Sequence, residues 1–185
     1  MKLLRTLLSV FVFLTAFQVD ASHIIGGDIQ YEYLGNNQYY IKLVLYREMT
    51  GIPLGATEIV DIRSASCGYS STITLPRTQQ FQATYAYDCI SQATAGFQPE
   101  VNVYETTVTN PLQLTGTCSD YTISWDVCCK PGGVTNINGA SNTLGFYFEA
   151  ELNRRQGIGN NSSPIFQSTP LADLCNGGTF IYTQN

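Results

Sequence analysis

The sequence predicts an all-β domain in which two antiparallel sheets pack into a β-sandwich, immunoglobulin-like or related. Only 12% of the 185 residues are charged and 12% are aromatic, whereas an average chain is about 25% charged. Apolar and polar residues alternate with the period of two that is typical of strands. Clusters of Gly, Asn and Pro separate these stretches, and no helical periodicity of useful length follows residue 21. We therefore expect a sandwich in preference to a barrel.

Residues 1–21 have the pattern of a secretory signal peptide. The pattern comprises a positive n-region, an apolar core and a small-residue cleavage site: Lys2 and Arg5, Leu7–Phe17, and Val19–Ala21 before Ser22. The apolar core is shorter than the roughly 20 residues that span a bilayer. We expect a cleaved signal, no transmembrane anchor, and one sandwich domain over residues 22–185, in which residues 154–185 form a looser tail towards a following module.

Six cysteines follow the predicted signal peptide, and export makes disulfide bonds their expected state. They are Cys67, Cys89, Cys118, Cys128, Cys129 and Cys175. Of the 15 pairings that six cysteines allow, we exclude the three in which Cys128 bonds to its neighbour Cys129, because that bond is strained; twelve stay open. A zinc site is disfavoured, because the chain has no C-x-x-C pair and its one histidine, His23, lies at the mature N-terminus.

Three stretches carry the clearest strand patterns. They are Gln38–Arg47, which suits a central strand covered on both faces, and Tyr121–Val127 and Leu144–Leu152, which suit strands with one wet face. Six weaker candidates bring the total to roughly nine short strands: Asp28–Tyr33, Thr57–Arg63, Ser71–Leu75, Gln82–Asp88, Val101–Thr109 and Thr179–Thr183. The core is expected around six residues: Leu43, Leu45, Ile123, Trp125, Phe146 and Phe148.

Segments rich in Gly and Asn separate the strands. Leu34–Gln38 is predicted to be a hairpin loop, because Gly and Asn tolerate the positive φ angles of tight reversals. Residues 130–142 and 154–168 are longer loops without periodicity. Because loops on a rigid sandwich often carry recognition, three asparagines of the first long loop form a candidate binding loop: Asn136, Asn138 and Asn142.

Few residues suit catalysis or a cofactor. His23 lies where a buried, oriented imidazole is hard to build. The carboxylate pairs Glu149 with Glu151 and Asp61 with Glu58 are expected at outward strand positions, as solvated charges. We therefore expect no enzyme, no metal site and no cofactor. The net charge of -5 also argues against nucleic acid as a partner.

Several stretches resemble, in the same order, the pattern of one known family. Three follow the cleavage site: Ser22–Tyr31, Leu34–Tyr39 and Leu45–Arg47. Four come later, before Cys175: Tyr121–Trp125, Cys128-Cys129, Thr135–Ile137 and Asn160–Phe166. The ordered set resembles the N-terminal module of large secreted surface proteins of gliding Bacteroidota, and it covers nearly the whole mature chain.

This resemblance implies export by the type IX secretion route and an adhesin-like, gliding-associated role at the cell surface. The partners it implies are a surface protein or glycan, or further modules of a parent chain. The chain departs from the family at Tyr33 and Met49, where family members often have Cys, so one disulfide is expected to be missing. It also stops at Asn185, about where family members enter their next module. We expect an extracellular or cell-surface location, or the periplasm if the chain is naturally complete.

Two other classes of function stay open. One is a carbohydrate-binding accessory domain or weak glycan hydrolase that uses carboxylates near residues 130–142. The other is a structural N-terminal cap that shields the first sheet edge of a longer array.

Overall fold

The computed structural model describes residues 23–49, 51–83, 99–156 and 161–165. Within these ranges the chain forms eight strands: β1 (Ile24–Gly35), β2 (Gln38–Glu48), β3 (Thr57–Ser64), β4 (Tyr69–Gln82), β5 (Pro99–Glu105), β6 (Leu112–Gln113), β7 (Tyr121–Val127) and β8 (Phe146–Leu152). The described helix is a single 3-10 turn at Ser141–Thr143, and no helix in the described ranges is long and apolar enough to cross a membrane. The all-β prediction is confirmed.

The strands form one antiparallel sheet that folds over on itself. Its order is β1-β2-β5-β4-β3-β7-β8, and β6 adds to β2. Strand β4 belongs to both halves, because Tyr69–Pro76 pairs with β3 whereas Arg77–Gln82 pairs with β5. Sheet A is defined as β1, β2, β5, β6 and the second part of β4; sheet B is the first part of β4 with β3, β7 and β8. The predicted antiparallel sandwich is confirmed, and it is nearly closed where β1 lies against β8.

The predicted hairpin loop after Leu34 joins β1 to β2. Asn36 and Asn37 adopt φ angles of 51° and 61°, and Gly35 has a φ of 96°. These angles fall in the region that glycine and asparagine tolerate best. Strand β2 then lies between β1 and β5, which confirms its predicted central position.

One hydrophobic core fills the space between the sheets. Four of the six predicted core residues are buried, namely Leu43, Leu45, Ile123 and Trp125, and Phe146 and Phe148 are partly buried against them. The Trp125 ring stacks on Phe148 with 5.9 Å between ring centroids. Alternation along β2, β7 and β8 therefore predicted correctly which side chains point inward.

Strand boundaries differ from the prediction mainly in β4. The predicted strand ended at Leu75, but β4 continues through Pro76, its last pair with β3, into sheet A. Gln82, the predicted start of another strand, ends β4, and residues 84–88 lie outside the described ranges, as does the candidate strand at 179–183. Strand β5 ends at Glu105 rather than Thr109, because residues 107–110 form a tight turn.

Two cysteine pairs lie in the described part of the chain. Cys67 bonds to Cys118 with 6.0 Å between their Cα atoms, inside the usual range. Cys128 bonds to Cys129 across a cis peptide, with Cα atoms 3.1 Å apart. This pairing of neighbours is one that we excluded, so that exclusion was wrong. Cys89 and Cys175 lie outside the described residues.

Replacing both Cys67 and Cys118 by serine is expected to lower the free energy of unfolding by about 2–4 kcal/mol. The bond joins positions 51 residues apart, so its loss frees a large loop in the unfolded chain. Urea unfolding followed by the fluorescence of Trp125, the single tryptophan, measures the change. Peptide mapping of the unreduced chain that joins Cys67 to a different cysteine would contradict this pairing.

Gly27 of β1 allows Phe148 of β8 to pack closely. A Cβ at position 27 would lie 2.7 Å from the Val44 carbonyl oxygen and 3.0 Å from carbons of Leu45 and Phe148. Gly27→Ala is therefore expected to destabilise the domain by about 1–3 kcal/mol in the same urea titration. The control is Gly132→Ala, because a Cβ there meets nothing within 4 Å. Equal stability of the two variants would show that β1 and β8 are not tightly packed.

Candidate functional site

Sheet B presents a polar face to solvent. Because alternate residues of a strand share a face, the register across β4, β3, β7 and β8 aligns two rows on the side away from the core: Thr72, Asp61, Ser124, Glu149 and Ser70, Arg63, Thr122, Glu151. Within these rows Ser124 is covered, with 7% of its surface exposed. Two large side chains stand exposed on the same face, Tyr147 at 57% and Ile59 at 60%. This surface is termed the outer face of sheet B.

Hydrogen bonding holds the exposed Tyr147 ring in place. Its hydroxyl donates to Glu149 Oε2 over 2.8 Å. That bond to a carboxylate raises the pKa of Tyr147, although a bond to Ser124 opposes it. Beside this pair, Arg63 Nη2 lies 3.4 Å from Asp61 Oδ2, an exposed ion pair of little energetic weight. The face thus combines an aromatic ring with carboxylates and hydroxyls, groups that together suit a ligand with both C–H and O–H surface.

The two predicted carboxylate pairs differ in their exposure to solvent. Glu149 and Glu151 are exposed on β8, and Asp61 faces outward from β3, as predicted. Glu58 instead accepts a hydrogen bond from Trp125 Nε1 over 3.0 Å. Burial raises the pKa of Glu58 more than that bond lowers it.

The outward position that we predicted for Glu58 was wrong. Alternation along β3 places Glu58 on the same face as Val60 and Ile62, and both of these residues are fully buried in the core. The signal was therefore present in the sequence.

The predicted binding loop, residues 130–142, lies where β7 leads to β8. Asn136, Asn138 and Asn142 are all exposed. The loop is held by Ser141, whose hydroxyl donates to the Pro131 carbonyl over 2.7 Å and accepts the Val134 N–H over 3.3 Å. The structure leaves the three asparagines accessible, and no hydrogen bond within the described ranges joins them to one another.

A polar network that sequence analysis missed lies inside the sandwich, on sheet A. Its buried members are Arg47, Glu100 and Asn102, and the half-buried Arg77 and the exposed Gln80 join them from β4. Arg47 Nη2 lies 3.0 Å from Glu100 Oε1, and Glu100 also accepts hydrogen bonds of 2.9 Å from both Asn102 Nδ2 and Gln80 Nε2. Arg47 is 3% and Glu100 7% exposed. A signal existed for Arg47, because it shares its face of β2 with Leu43 and Leu45.

Three side chains of sheet A hold the crossover segment, residues 51–56, which leads from β2 to β3. Arg47 Nη1 donates to the carbonyl of residue 51 over 2.6 Å, Arg77 Nη1 to that of residue 54 over 3.2 Å, and the Tyr104 hydroxyl to that of residue 55 over 2.9 Å. Burial and the negative charge of Glu58 raise the pKa of Tyr104 to about 12, so its hydroxyl stays a donor. These groups serve the fold.

The opposite end of the sandwich is held by Arg154 and Asp120. Arg154 Nη1 donates to the carbonyls of Leu114 and Gly116, and Nη2 donates to Asn37 Oδ1 over 2.6 Å. Hydrogen bonds from Ser64, then from the side chain and backbone of Ser66, lower the pKa of Asp120 to about 2. These charged groups are also occupied within the fold.

The metal-ligating residue types do not gather in the described ranges. No group of three or more His, Cys, Asp or Glu lies close enough there to hold a metal ion. His23 precedes β1, where its carbonyl accepts the Glu48 N–H over 3.0 Å. Its ring packs against Gly51, so the single histidine has a structural contact.

Acid is expected to destabilise the domain through Glu100. Burial raises its pKa, but hydrogen bonds from Asn102, Gln80 and Arg47, with the Arg47 charge, outweigh burial and lower it below 4.5. A carboxyl with a lowered folded-state pKa stabilises the fold above its unfolded-state pKa, and this contribution disappears as pH falls through the folded-state value.

Glu100→Gln should therefore make the free energy of unfolding less dependent on pH below 4.5, as measured by urea titrations at a series of pH values. The control is Glu151→Gln, which changes an exposed glutamate on β8. An acid slope that Glu100→Gln leaves unchanged would exclude Glu100 as its source.

Comparison of the chain with protein-family models, curated proteins and solved structures found no match.

Proposed function

We propose that this chain is an exported, non-catalytic β-sandwich module of an adhesin-type surface protein, and that it binds its ligand through the outer face of sheet B. The signal-peptide pattern and the ordered motifs, which resemble surface proteins of gliding Bacteroidota, support the cellular role and the type IX route. The observation that carries the binding role is the exposed Tyr147 ring, 57% accessible, among outward carboxylates and hydroxyls.

The distribution of charged groups favours this face over the interior. Arg47 and Glu100 bond to each other and to neighbouring groups, and Arg154 is occupied by backbone carbonyls. On the outer face, by contrast, Arg63 is 65% exposed, and Glu149 and Glu151 face water. These outward groups can exchange bound water for a ligand without breaking the core.

The rigidity of the face supports the same choice. Tyr147, Ser124 and Asp61 lie on three adjacent strands in fixed register. A preorganised surface loses less conformational entropy on binding than a loop does. The exposed loop with Asn136 and Asn138 is the competing location.

A glycan is the ligand class that Tyr147 favours, which supports a carbohydrate-binding accessory domain as the second candidate function. An exposed aromatic ring can stack on the C–H face of a sugar, while Glu149 and Asp61 can accept hydrogen bonds from its hydroxyls. A weak glycan hydrolase would require, in addition, that one of these carboxylates take part in bond cleavage.

Tyr147→Ala is expected to weaken binding to a glycan array, or to the surface of the source cell, at least about tenfold, which is the effect of losing one contact of ~1.4 kcal/mol. The matched control is the double variant Asn136→Ala, Asn138→Ala, which should bind as the unchanged chain does. Trp125 fluorescence verifies that each variant is folded.

Three outcomes of this experiment would contradict the proposal in different ways. Loss of binding only in the asparagine variant would move the site to residues 130–142. Sugar release that disappears in Glu149→Gln would show a hydrolase. Binding to neither glycans nor cells would leave the structural N-terminal cap as the remaining function.

A further inference from the structure

A second apolar cluster lies on the side of sheet A that faces away from the core. It consists of four buried residues, Val44, Ala83, Val101 and Val103, with Tyr46 packed against them. The register places Val44 opposite Val103 and Tyr46 opposite Val101, so these side chains share one face. Leu43 and Leu45, their neighbours on β2, belong to the main core instead. This surface is termed the outer face of sheet A.

Solvent hardly reaches the outer face of sheet A. Val44 is 6% exposed, Val101 3% and Val103 4%. On the outer face of sheet B, by contrast, the apolar Ile59 is 60% exposed. Among the described strands, β5, which carries Val101 and Val103, has extensive contacts only with β2 and β4, its neighbours in the sheet. A sheet face stays wet unless another layer packs on it, so a further part of the molecule has to lie over these valines.

The shielded region extends from β5 across β2 to β1. Asp28 of β1 lies opposite Val44, on the same face. Burial raises the pKa of its carboxyl, although hydrogen bonds from Gln30 and Tyr46 lower it. A carboxylate on an open sheet face would keep its hydration, so the layer that covers the valines also reaches Asp28.

The chain between β4 and β5, residues 84–98, leaves sheet A at this face and returns to it. Ala83 belongs to the buried cluster, and its N–H donates to the Pro99 carbonyl over 2.9 Å, so the two ends of the segment are adjacent. From β4 to β1 the face spans three strand spacings, about 14 Å. A segment of this length that goes out and back reaches about 23 Å when extended. It can therefore cover the whole face.

The sequence of residues 84–98 suits an apolar surface. The segment has four large apolar or aromatic side chains, and its one charged residue is Asp88: Tyr85, Tyr87, Ile90 and Phe97 are the four. Tyr85 and Tyr87 are two residues apart, the spacing that places two side chains on the same face of an extended chain. The segment thus offers aromatic rings to a surface of valine side chains.

The tail after residue 165 starts farther from the valines. Residues 161–165 run along the edge of β1 that faces away from β2, where the Ser163 N–H donates to the Tyr31 carbonyl over 2.8 Å and the Tyr31 N–H donates to Ser163 Oγ over 2.9 Å. Ile165 is 65% exposed. Strand β2 separates β1 from β5, so the tail would have to cross two strands to reach Val101, whereas residues 84–98 begin and end beside it.

We propose that the outer face of sheet A is a docking surface for residues 84–98, whose aromatic side chains pack on Val44, Val101 and Val103. The outer face of sheet A then belongs to the fold and is unavailable to an external partner. This proposal does not rest on the proposed function, since the outer face of sheet B takes no part in it.

The test is NMR spectroscopy of the full chain with labelled valine methyl groups. The methyl groups of Val44, Val101 and Val103 should show nuclear Overhauser effects to aromatic ring protons of residues 84–98. Val108, which is 97% exposed, should show none to that segment and serves as the control. Effects only to residues 166–185, or only between differently labelled copies of the chain, would overturn the proposal, and so would the absence of any effect.

Substitution then tests whether the segment keeps solvent from the face. In the triple variant Tyr85→Ser, Tyr87→Ser, Phe97→Ser, the relaxation that a soluble paramagnetic probe causes at the three valines should rise to the level of Val108. Val60, which is fully buried in the main core, should stay protected, because the sandwich itself remains folded.

The matched control is the triple variant Leu171→Ser, Leu174→Ser, Phe180→Ser in the tail, which should leave the three valines protected. Exposure of the valines in this variant instead of the first would assign the face to the tail and overturn the proposal. Should the first variant not fold, the nuclear Overhauser effects of the unchanged chain decide the matter alone.

Discussion

The crossover segment, residues 51–56, passes from sheet A to sheet B and is held there by hydrogen bonds from three side chains of sheet A. Each such bond contributes about 0.5–1.5 kcal/mol, and more where the donor is charged. Arg47, Arg77 and Tyr104 supply the donors, and Glu100 balances the Arg47 charge. The spacing of the two sheets at this end therefore depends on a few polar side chains placed inside an otherwise apolar core.

The hydrogen bonds that hold the crossover segment determine which charged groups remain available to bind a ligand. A buried charge is tolerated only when it is paired and fully hydrogen-bonded, so the groups that hold the ends of the sandwich cannot also receive a ligand. Arg154 at the other end is committed in the same way to the Gly116 carbonyl and Asn37. The outward residues of sheet B, with Tyr147 among them, lie outside both arrangements.

The alternation of apolar and polar residues within single strands predicted much of the fold but little of the candidate site. The alternation in β2, β7 and β8 predicts an inward Leu43 and Trp125, because period two is a property of each strand alone. Arg47 and Glu100 bond to each other although they are 53 residues apart in the sequence. Strand β4 passes between the sheets at Pro76 because its two parts pair with different strands. Neither feature can be predicted from the residue pattern of a single strand. Asn136 could be singled out by composition, whereas the row of Asp61, Ser124 and Glu149 requires the register of three strands.

The contacts between residues 161–165 and β1 also bear on the order of events during folding. Tyr31 bonds to Ser163 across 132 residues of sequence and to Glu151 across 120. Ordering so long an intervening chain costs loop entropy before the contact forms, and chains rich in distant contacts fold slowly. The β1–β2 hairpin can form early, but its outer edge stays open until the last part of the domain arrives. The folding chain thus passes through a period in which that edge is exposed to other molecules, and the concentration of incompletely folded chains sets how often they meet it.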